Sequence, residues 1–331
     1  MKVMVTGGTG FVGSHIVDAL EKHFPTSNIS LIVRDISKAK MRAEAGITLF
    51  QGDMTDSKSL ILAISTFQPN VIVHTAALAD DWAPLSQLIA VNAQGTQNII
   101  DAMLQSNNAK FLIHISSSGV YPRKASIHLT EDTPYGPYGN YHKSKLIAEE
   151  KVRTYIEKKL LNATILRPPN VMGIRDFTHM AKICQAIKER KFPIINEGKA
   201  IQTWVAAEDL AQAVILIINQ QKKANGKIYN VKSFEISVKE LYDQIALKLN
   251  ILESPRNYPY FLVYPLGVIS EILGKIRGKP STLNRYRVIK FAKDRLFDDS
   301  KIQSELGYQP KASAHDTIMN TVEWLQKEGI I

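Results

Sequence analysis

Two tyrosines in the stretch YGNYHKSKLIAEEKVRTYIEKKL (138–160) each have a lysine four residues on: Tyr141 with Lys145, and Tyr155 with Lys159. Residues four apart on a helix lie on one face. An ammonium beside a phenol favours the phenolate, and so does the positive end of a helix. Such a phenol can give or take a proton near neutral pH, which interconversion of an alcohol and a carbonyl requires. A third pair, Tyr286 with Lys290, lies in a basic C-terminal region. With twelve tyrosines in the chain, this spacing also arises by chance and does not choose among the three.

The elements that carry the pairs do choose. Short apolar runs at 2–6, 29–33, 47–50, 71–75, 111–116 and 163–167 alternate with amphipathic stretches near 12–23, 56–66, 86–106 and 138–160. That rhythm predicts a doubly wound parallel sheet with helices on both faces, a Rossmann-type α/β fold with right-handed crossovers. After RPP (167–169) the rhythm changes. Residues 204–220 read as a helix and 227–231 as a strand; from about 233 helical segments dominate, with Pro/Gly breaks at 255, 259, 265, 278 and 280. The expected division is a dinucleotide domain at 1–170 plus about 203–232, and a smaller, mostly helical substrate lobe at about 171–202 and 233–331.

Parallel sheets bind ligands beyond the carboxyl ends of their strands. The fifth strand ends at Ser116–Ser118, and TPYGPYGN keeps the next helix from starting before about residue 140. Tyr141 therefore falls in the first turns of that helix, at the ligand edge. Tyr155 faces nearly the same way but lies about 21 Å further along the axis, so only one of the two can serve. Tyr155 reads as a packing residue.

The sequence VMVTGGTGFVGSHIVDAL places a strand, then Gly7, Gly10 and Gly13, then a helix. Glycines allow the tight turn, and the helix N-terminus offers N–H groups to a pyrophosphate. In this context the motif predicts dinucleotide binding. At the end of the second strand, Arg34 would accept the 2′-phosphate of NADP, whereas Asp35 would bond the 2′-OH of NAD. Arg34 directly follows the last apolar strand residue, which favours NADP(H). Asp53, just past the third strand, falls within reach of the adenine.

The 331 residues suit two domains, and at 45% hydrophobic they can bury a substantial core. The lone cysteine, Cys184, excludes an internal disulfide and fits a reducing, cytoplasmic location. No export signal opens the chain, and no His/Cys cluster has zinc-ligand spacing, so no metal is expected. The longest apolar stretch, YFLVYPLGVISEIL (260–273), is too short to span a bilayer and reads as a buried or interfacial helix. Net charge is +10, and residues 256–295 carry nine Lys/Arg against Glu271 and Asp294. That basic region fits a solvated face, a phosphate-bearing substrate or peripheral contact with an anionic membrane. No nucleic-acid motif is present, so no nucleic-acid partner is expected.

In order along the chain stand TGGTGFVG (6–13), GDMTD (52–56), VIVHTAA (71–77), VNAQGTQNII (91–100), HISSSGVY (114–121), YHKSK (141–145) and LRPPNVMG (166–173). Together they resemble the extended short-chain dehydrogenase/reductase superfamily, the NAD-dependent epimerase/dehydratases. FDDSKIQSELGYQP (297–310) extends the resemblance to nearly the whole chain. VNAQGTQNIIDA and LRPPNVMG are most similar to the 3β-hydroxysteroid and sterol dehydrogenase branch. VRD (33–35) resembles dihydroflavonol-reductase-like members, and SSSGVYP resembles nucleotide-sugar epimerases, except at Pro122. The Thr-Asp-Glu of 4,6-dehydratases would fall at Ser118, Gly119 and Val120, where no acid stands.

The resemblance implies catalysis by Ser117, Tyr141 and Lys145, with Ser118 as the alternative hydroxyl and Lys145 also bonding the nicotinamide ribose. It assigns cofactor contacts to Gly7, Thr9, Gly10, Phe11, Val12, Arg34, Asp53, Met54, Ala76, Ala77, Asn92, Tyr141, Lys145 and Pro168. Asn92 would sit near the site as a structural or relay partner; His74 and His114 read as strand histidines, and His142 as solvent-facing. The implied function is an NAD(P)-dependent oxidoreductase interconverting a hydrophobic secondary alcohol and its ketone. The alternatives are a UDP-sugar 4-epimerase, with Arg175 or arginines of 277–295 on the diphosphate, and a non-catalytic dinucleotide-sensing regulator. A homodimer through helices near 86–106 and 138–160 is implied as well.

Overall fold

The computed structural model describes residues 1–80, 82–122, 126–277 and 283–331. Lys279 and the side chains of Lys275 and Tyr286 lie outside the described residues, and with them the third tyrosine–lysine spacing. The strands are, in chain order, β1 (Val3–Thr6), β2 (Ile29–Val33), β3 (Thr48–Gln51), β4 (Val71–His74), β5 (Phe111–Ile115), β6 (Ser126–Leu129) and β7 (Ala163–Arg167). They continue with β8 (Asn170–Met172), β9 (Ile194–Ile195), β10 (Ile201–Ala206), β11 (Ile228–Asn230), β12 (Phe234–Ser237), β13 (Asn257–Tyr258) and β14 (Arg295–Phe297). The longer helices are α1 (Phe11–His23), α2 (Ser57–Phe67), α3 (Gly95–Leu104), α4 (Gly139–Glu157) and α5 (His179–Lys188). After them come α6 (Ala207–Asn219), α7 (Val238–Lys248), α8 (Tyr260–Ile276), α9 (Arg285–Ala292) and α10 (Ala314–Lys327).

Seven strands form one parallel sheet in the order β11-β7-β5-β4-β1-β2-β3. Alternating side chains along each strand serve opposite faces. Val3, Val5, Leu31 and Val73 pack under α1 and α6 with Ile16, Leu20, Leu210 and Val214. Met4, Ile32, Ile72 and Leu112 pack the other way, against Leu60, Ile64, Ile99 and Val152 of α2, α3 and α4. Each such side chain contributes roughly 1.5–3 kcal/mol when fully buried. The chain runs outward from β1 to β3 and returns to β4 on the other side of β1. That reversal opens a crevice at the carboxyl ends of β1 and β4.

A second, mixed sheet, β12-β10-β14-β6 with β8 beside β10, makes the other lobe richer in strand than its helical segments lead one to expect. Residues 204–206 belong to β10, not to a helix. Trp204 and Val205 pair with β8 and Trp204 with β12 as well, and the helix starts at Ala207. Helices α5, α7 and α10 close over Trp204 and Ile236. The chain then returns to the large sheet through β11 before leaving again. Residues 86–106 are not one helix: a short turn Leu85–Leu88 runs into a π-helix, Ile89–Gln94, before α3. Pro265 does not break α8, which runs through it.

The strand histidines are buried side by side. His74 bonds Thr6 Oγ1 at 2.7 Å and Thr96 Oγ1 at 3.0 Å through its two ring nitrogens. His114 lies beside it at the paired position of the neighbouring strand β5, with ring centroids 5.5 Å apart, and neither of its ring nitrogens has a protein partner among the described residues. Burial, and then the charge of Lys145, push His74 down to about 3 and lower His114 as well. Below pH 6.5 the unfolded chain takes up protons that the folded one refuses, so stability must fall as pH drops. We expect calorimetric Tm to decline steadily from pH 6.5 to pH 4. His114→Leu should raise Tm at pH 7, since it removes an unpaired buried polar group, and should flatten the acid slope. A lower Tm for that variant at pH 7 would contradict this account.

Candidate active site

At the end of β5 three consecutive serines have three different fates. Ser116 is buried, and its hydroxyl donates to Glu149 Oε2 at 2.7 Å. Ser118 is also buried; its N–H donates to Pro168 O at 2.9 Å, and its carbonyl accepts from Arg295 Nη2 at 3.0 Å. Ser117 lies between them, half-buried, and caps the turn Ser118–Val120 by accepting from Gly119 N at 3.0 Å. The Ser117 O–H can therefore donate to a substrate oxygen.

Helix α4 starts beside this strand end. Its first residue, Gly139, has φ +79, and Tyr138 is the N-cap. Tyr141 sits half-buried in the first turn. One turn on, Lys145 is 3% exposed, and its Nζ donates to Ile115 O at 2.6 Å, two residues before Ser117. Burial pushes the Lys145 ammonium down to about 8, while the Glu149 carboxylate opposes the shift. Tyr155 has no such setting. Its hydroxyl accepts from Gln97 Nε2 at 2.9 Å, and its ring packs against the core of the large sheet.

Asn92 lies in the π-helix and is almost fully buried. Its Oδ1 accepts from Leu78 N at 2.7 Å, and its Nδ2 donates to Leu78 O at 3.1 Å and to Ser144 Oγ at 2.9 Å. It thus clamps the loop after β4 to α4. His142 is not solvent-facing: it is half-buried, with Nδ1 bonded to Tyr138 O at 2.8 Å. Its ring fills the space over Gly119, where an added Cβ would lie 1.7 Å from His142 Cδ2.

The residues expected around a dinucleotide gather at the crevice. Gly7 has φ +74, and a Cβ on Gly13 would come within 2.1 Å of Gly7 O, so the turn closes only with glycines. Helix α1 has Gly10 as N-cap, no side-chain cap and no acid in its first turn. Its first N–H groups therefore stay available to a pyrophosphate, and the donor set fits that group. Thr9 is exposed beside it, while Phe11 and Val12 begin the helix half-buried. Ala76 packs against Gly7, and Ala77 is exposed at the crevice. Met54 buries its side chain in the core and bonds Asn98 through its carbonyl, so only its backbone can meet a ligand. Pro168 is buried against the serine loop.

Beyond β2, Arg34 is exposed, and Asp35 Oδ1 is taken up by Ser37 N and Ser37 Oγ at 3.0 and 2.6 Å. Those bonds hold the Asp35 carboxyl below its usual range. Asp53 is lowered in the same way by the hydroxyl and N–H of Thr55, with a smaller effect from Arg34. Arg175 is not placed for a substrate diphosphate, because its guanidinium binds Asp18 of α1. Of the arginines at 277–295, Arg295 reaches the site, on Ser118 O and Pro122 O.

Beneath the site lies a network that the sequence reading missed. Glu149 and Arg167, both 0% exposed, form an ion pair at 2.5 Å. Arg167 also donates to the hydroxyls of Tyr121 and Tyr135 at 2.7 and 2.6 Å, and to Glu131 O. The signal was available: an arginine ending the mostly apolar strand ATILR needs a buried partner. The acid four residues after Lys145 is that partner.

A doubly wound sheet with a glycine turn at its switch point and a Ser/Tyr/Lys set on the adjoining edge defines a dinucleotide-binding α/β protein of enzyme type. The chain belongs to the NAD dependent epimerase/dehydratase family, whose model matches residues 3–231. It is 28% identical to the N-acetyl-alpha-D-glucosaminyl-diphospho-ditrans,octacis-undecaprenol 4-epimerase of Escherichia coli O157:H7, over 91% of this chain and 88% of that one. It is 26% identical to the decarboxylating sterol-4-alpha-carboxylate 3-dehydrogenase of Candida albicans, over 98% of both chains. Among solved structures, the dTDP-glucose 4,6-dehydratase DesIV of Streptomyces venezuelae, with NAD and TYD bound, superposes with a TM-score of 0.78 at 23% identity. That match covers 99% of this chain and 97% of that one.

Removing one member of a buried ion pair leaves the other unpaired in the interior. We expect Arg167→Leu to lower the urea-unfolding free energy by about 3–5 kcal/mol. The double replacement of Arg167 and Glu149 by apolar residues should lose less than the single one. Equal losses in the two variants would show that the pair is not coupled.

Proposed function

We propose that this protein interconverts a secondary alcohol and a ketone with a nicotinamide dinucleotide as redox partner. The observation that carries the reading is the placement of Tyr141 and the buried Lys145 in the first turns of α4, against the strand end that presents Ser117. The dinucleotide, when bound, supplies the two-electron acceptor or donor. In the oxidising direction the Tyr141 phenolate takes the hydroxyl proton, and in the reducing direction the phenol returns it. The Lys145 ammonium favours the phenolate by its charge. Ser117 donates a hydrogen bond to the substrate oxygen, which fixes the carbinol for proton exchange.

The turn after Ser117 holds Ser118, Gly119 and Val120, none of them acidic. With no carboxylate there to work on a neighbouring C–H, the ketone is released or reduced again, not dehydrated. Similarity to the undecaprenol-linked sugar epimerase and to the sterol carboxylate dehydrogenase supports a ring alcohol attached to a large apolar group. A second reading is 4-epimerisation, in which the same carbon is oxidised and re-reduced. It is favoured by the same epimerase and by Arg295, which puts a cation on the serine loop near any diphosphate. Net accumulation of reduced cofactor with substrate marks the first reading; epimer exchange without it marks the second.

Tyr141→Phe should lower kcat by about 10²–10⁴-fold, the usual share of a general acid–base, with dinucleotide affinity kept. Tyr155→Phe should stay within a few-fold of the parent. Intact turnover in the first variant with loss in the second would reverse the assignment. For the cofactor, Arg34 at the end of β2 favours NADP. Arg34→Ala should raise the KM for NADP(H) by about 10–100-fold, the worth of a charge-assisted bond, and leave that for NAD(H) unchanged. Equal effects on the two cofactors would remove the preference.

A further inference from the structure

Helix α8 buries only one side. Val263 and Gly267 press against Val288 of α9, and Tyr260 and Tyr264 complete that contact. The other side is apolar and open. Phe261 (70% exposed), Leu262, Leu266, Ile269, Leu273 and Ile276 (76%) all face outward. From Leu262 the steps are four, three, four and three residues, which is one continuous stripe down the helix. A patch of this kind on a single chain marks an interaction surface.

The charges around it indicate what covers it. Exposed cations stand at both ends of the stripe: Arg256 and Lys293 near its start, where Lys293 lies 5.5 Å over the Tyr260 ring, and Arg277 just past its end. Arg287 is also exposed and lies against the half-exposed Trp82, 6.0 Å from its ring. The acid of the helix, Glu271, is turned inward. It takes two bonds from Arg285, at 2.9 and 3.1 Å, and one from Tyr138 OH at 3.2 Å. An apolar stripe flanked by cations, with its acid neutralised from within, is the pattern of a helix lying in a lipid interface. No described helix is long and apolar enough to cross a membrane. At about 1.5 Å per residue, the 17 residues of α8 fall short of the hydrocarbon core.

We infer that this protein docks on anionic membranes through α8, with the apolar stripe among the acyl chains and the flanking cations at the headgroups. The dock is joined to the active site. Tyr138, which bonds Glu271, is the N-cap of the helix whose first turn carries Tyr141. The site thus opens beside the surface that would meet lipid, where a substrate with an apolar tail could be reached without leaving the bilayer. This last point rests on the reading of Tyr141 given above; the docking itself does not.

The test is co-flotation of the full chain with vesicles of phosphatidylcholine alone and of phosphatidylcholine mixed with phosphatidylglycerol, at low and high salt. We expect binding to the anionic vesicles that salt weakens. Leu266→Glu and Ile269→Glu, both at solvent-exposed positions, should abolish it with Tm and dinucleotide affinity unchanged. Paired Arg256→Glu and Arg277→Glu should weaken it about tenfold or more. Absence of flotation at low salt would overturn the proposal, as would equal binding to both vesicle types. A dimer seen by light scattering without lipid binding, and lost in Ile269→Glu, would give the stripe to a second copy instead. Since flotation does not require turnover, loss of the Tyr141 assignment and loss of docking are separable outcomes.

Discussion

The buried pair of Arg167 and Glu149 is the constraint on which the rest of the site depends. Taking a guanidinium and a carboxylate out of water costs several kcal/mol for each ion. Here that cost is offset only because nearly every remaining donor and acceptor is matched. Ser116 and Tyr135 donate to the carboxylate, while Tyr121, Tyr135 and a backbone oxygen receive the guanidinium. The partners come from the end of β5, the end of β7 and the middle of α4. None of these can shift without breaking a bond in a low-dielectric interior. Ser117 and Lys145 are carried on the same elements, so their positions are inherited from the pair.

The network also reaches across the molecule. Tyr121 OH donates to Asn230 Oδ1 at 2.7 Å, and Asn230 Nδ2 in turn holds Leu129 O and Asp298 O, each at 3.1 Å, in the second sheet's strands and loops. On the far side of the cleft, Arg295 grips the serine loop and Glu271 grips the N-cap of α4. The second lobe therefore braces the candidate site. It fixes the loop and the helix start that carry Ser117, Tyr141 and Lys145.

Much of this was legible in the sequence, and the reasons differ by element. The inner strands of the parallel sheet were readable because strands buried on both faces are continuous apolar runs. The glycine turn was readable because its geometry excludes side chains, and Tyr141 was separable from Tyr155 by distance along one helix. Other features were hidden. The end of β10 looked helical because WVAAEDL has no break, yet pairing with β8 and β12 holds Trp204 in a strand. Pro265 looked like a stop, but α8 runs through it, with the residue exposed in the second turn of the helix. The roles of Arg175 and His142 could not be read from spacing. They depend on Asp18, 157 residues away, and on Gly119, 23 residues away, and only the folded chain brings these together.

The ring of His142 over Gly119 has a consequence for how this chain could diverge. The two positions are coupled: no side chain can be introduced at 119 while the imidazole stays where Tyr138 O holds it. A side chain added at 119 would first have to displace the imidazole from its bond to Tyr138 O. The ring at 142 must rotate away or be replaced by a smaller residue before 119 can hold more than glycine. The imidazole thus keeps the serine loop to a glycine at this point by simple occupancy of space, for as long as its bond to Tyr138 O is kept.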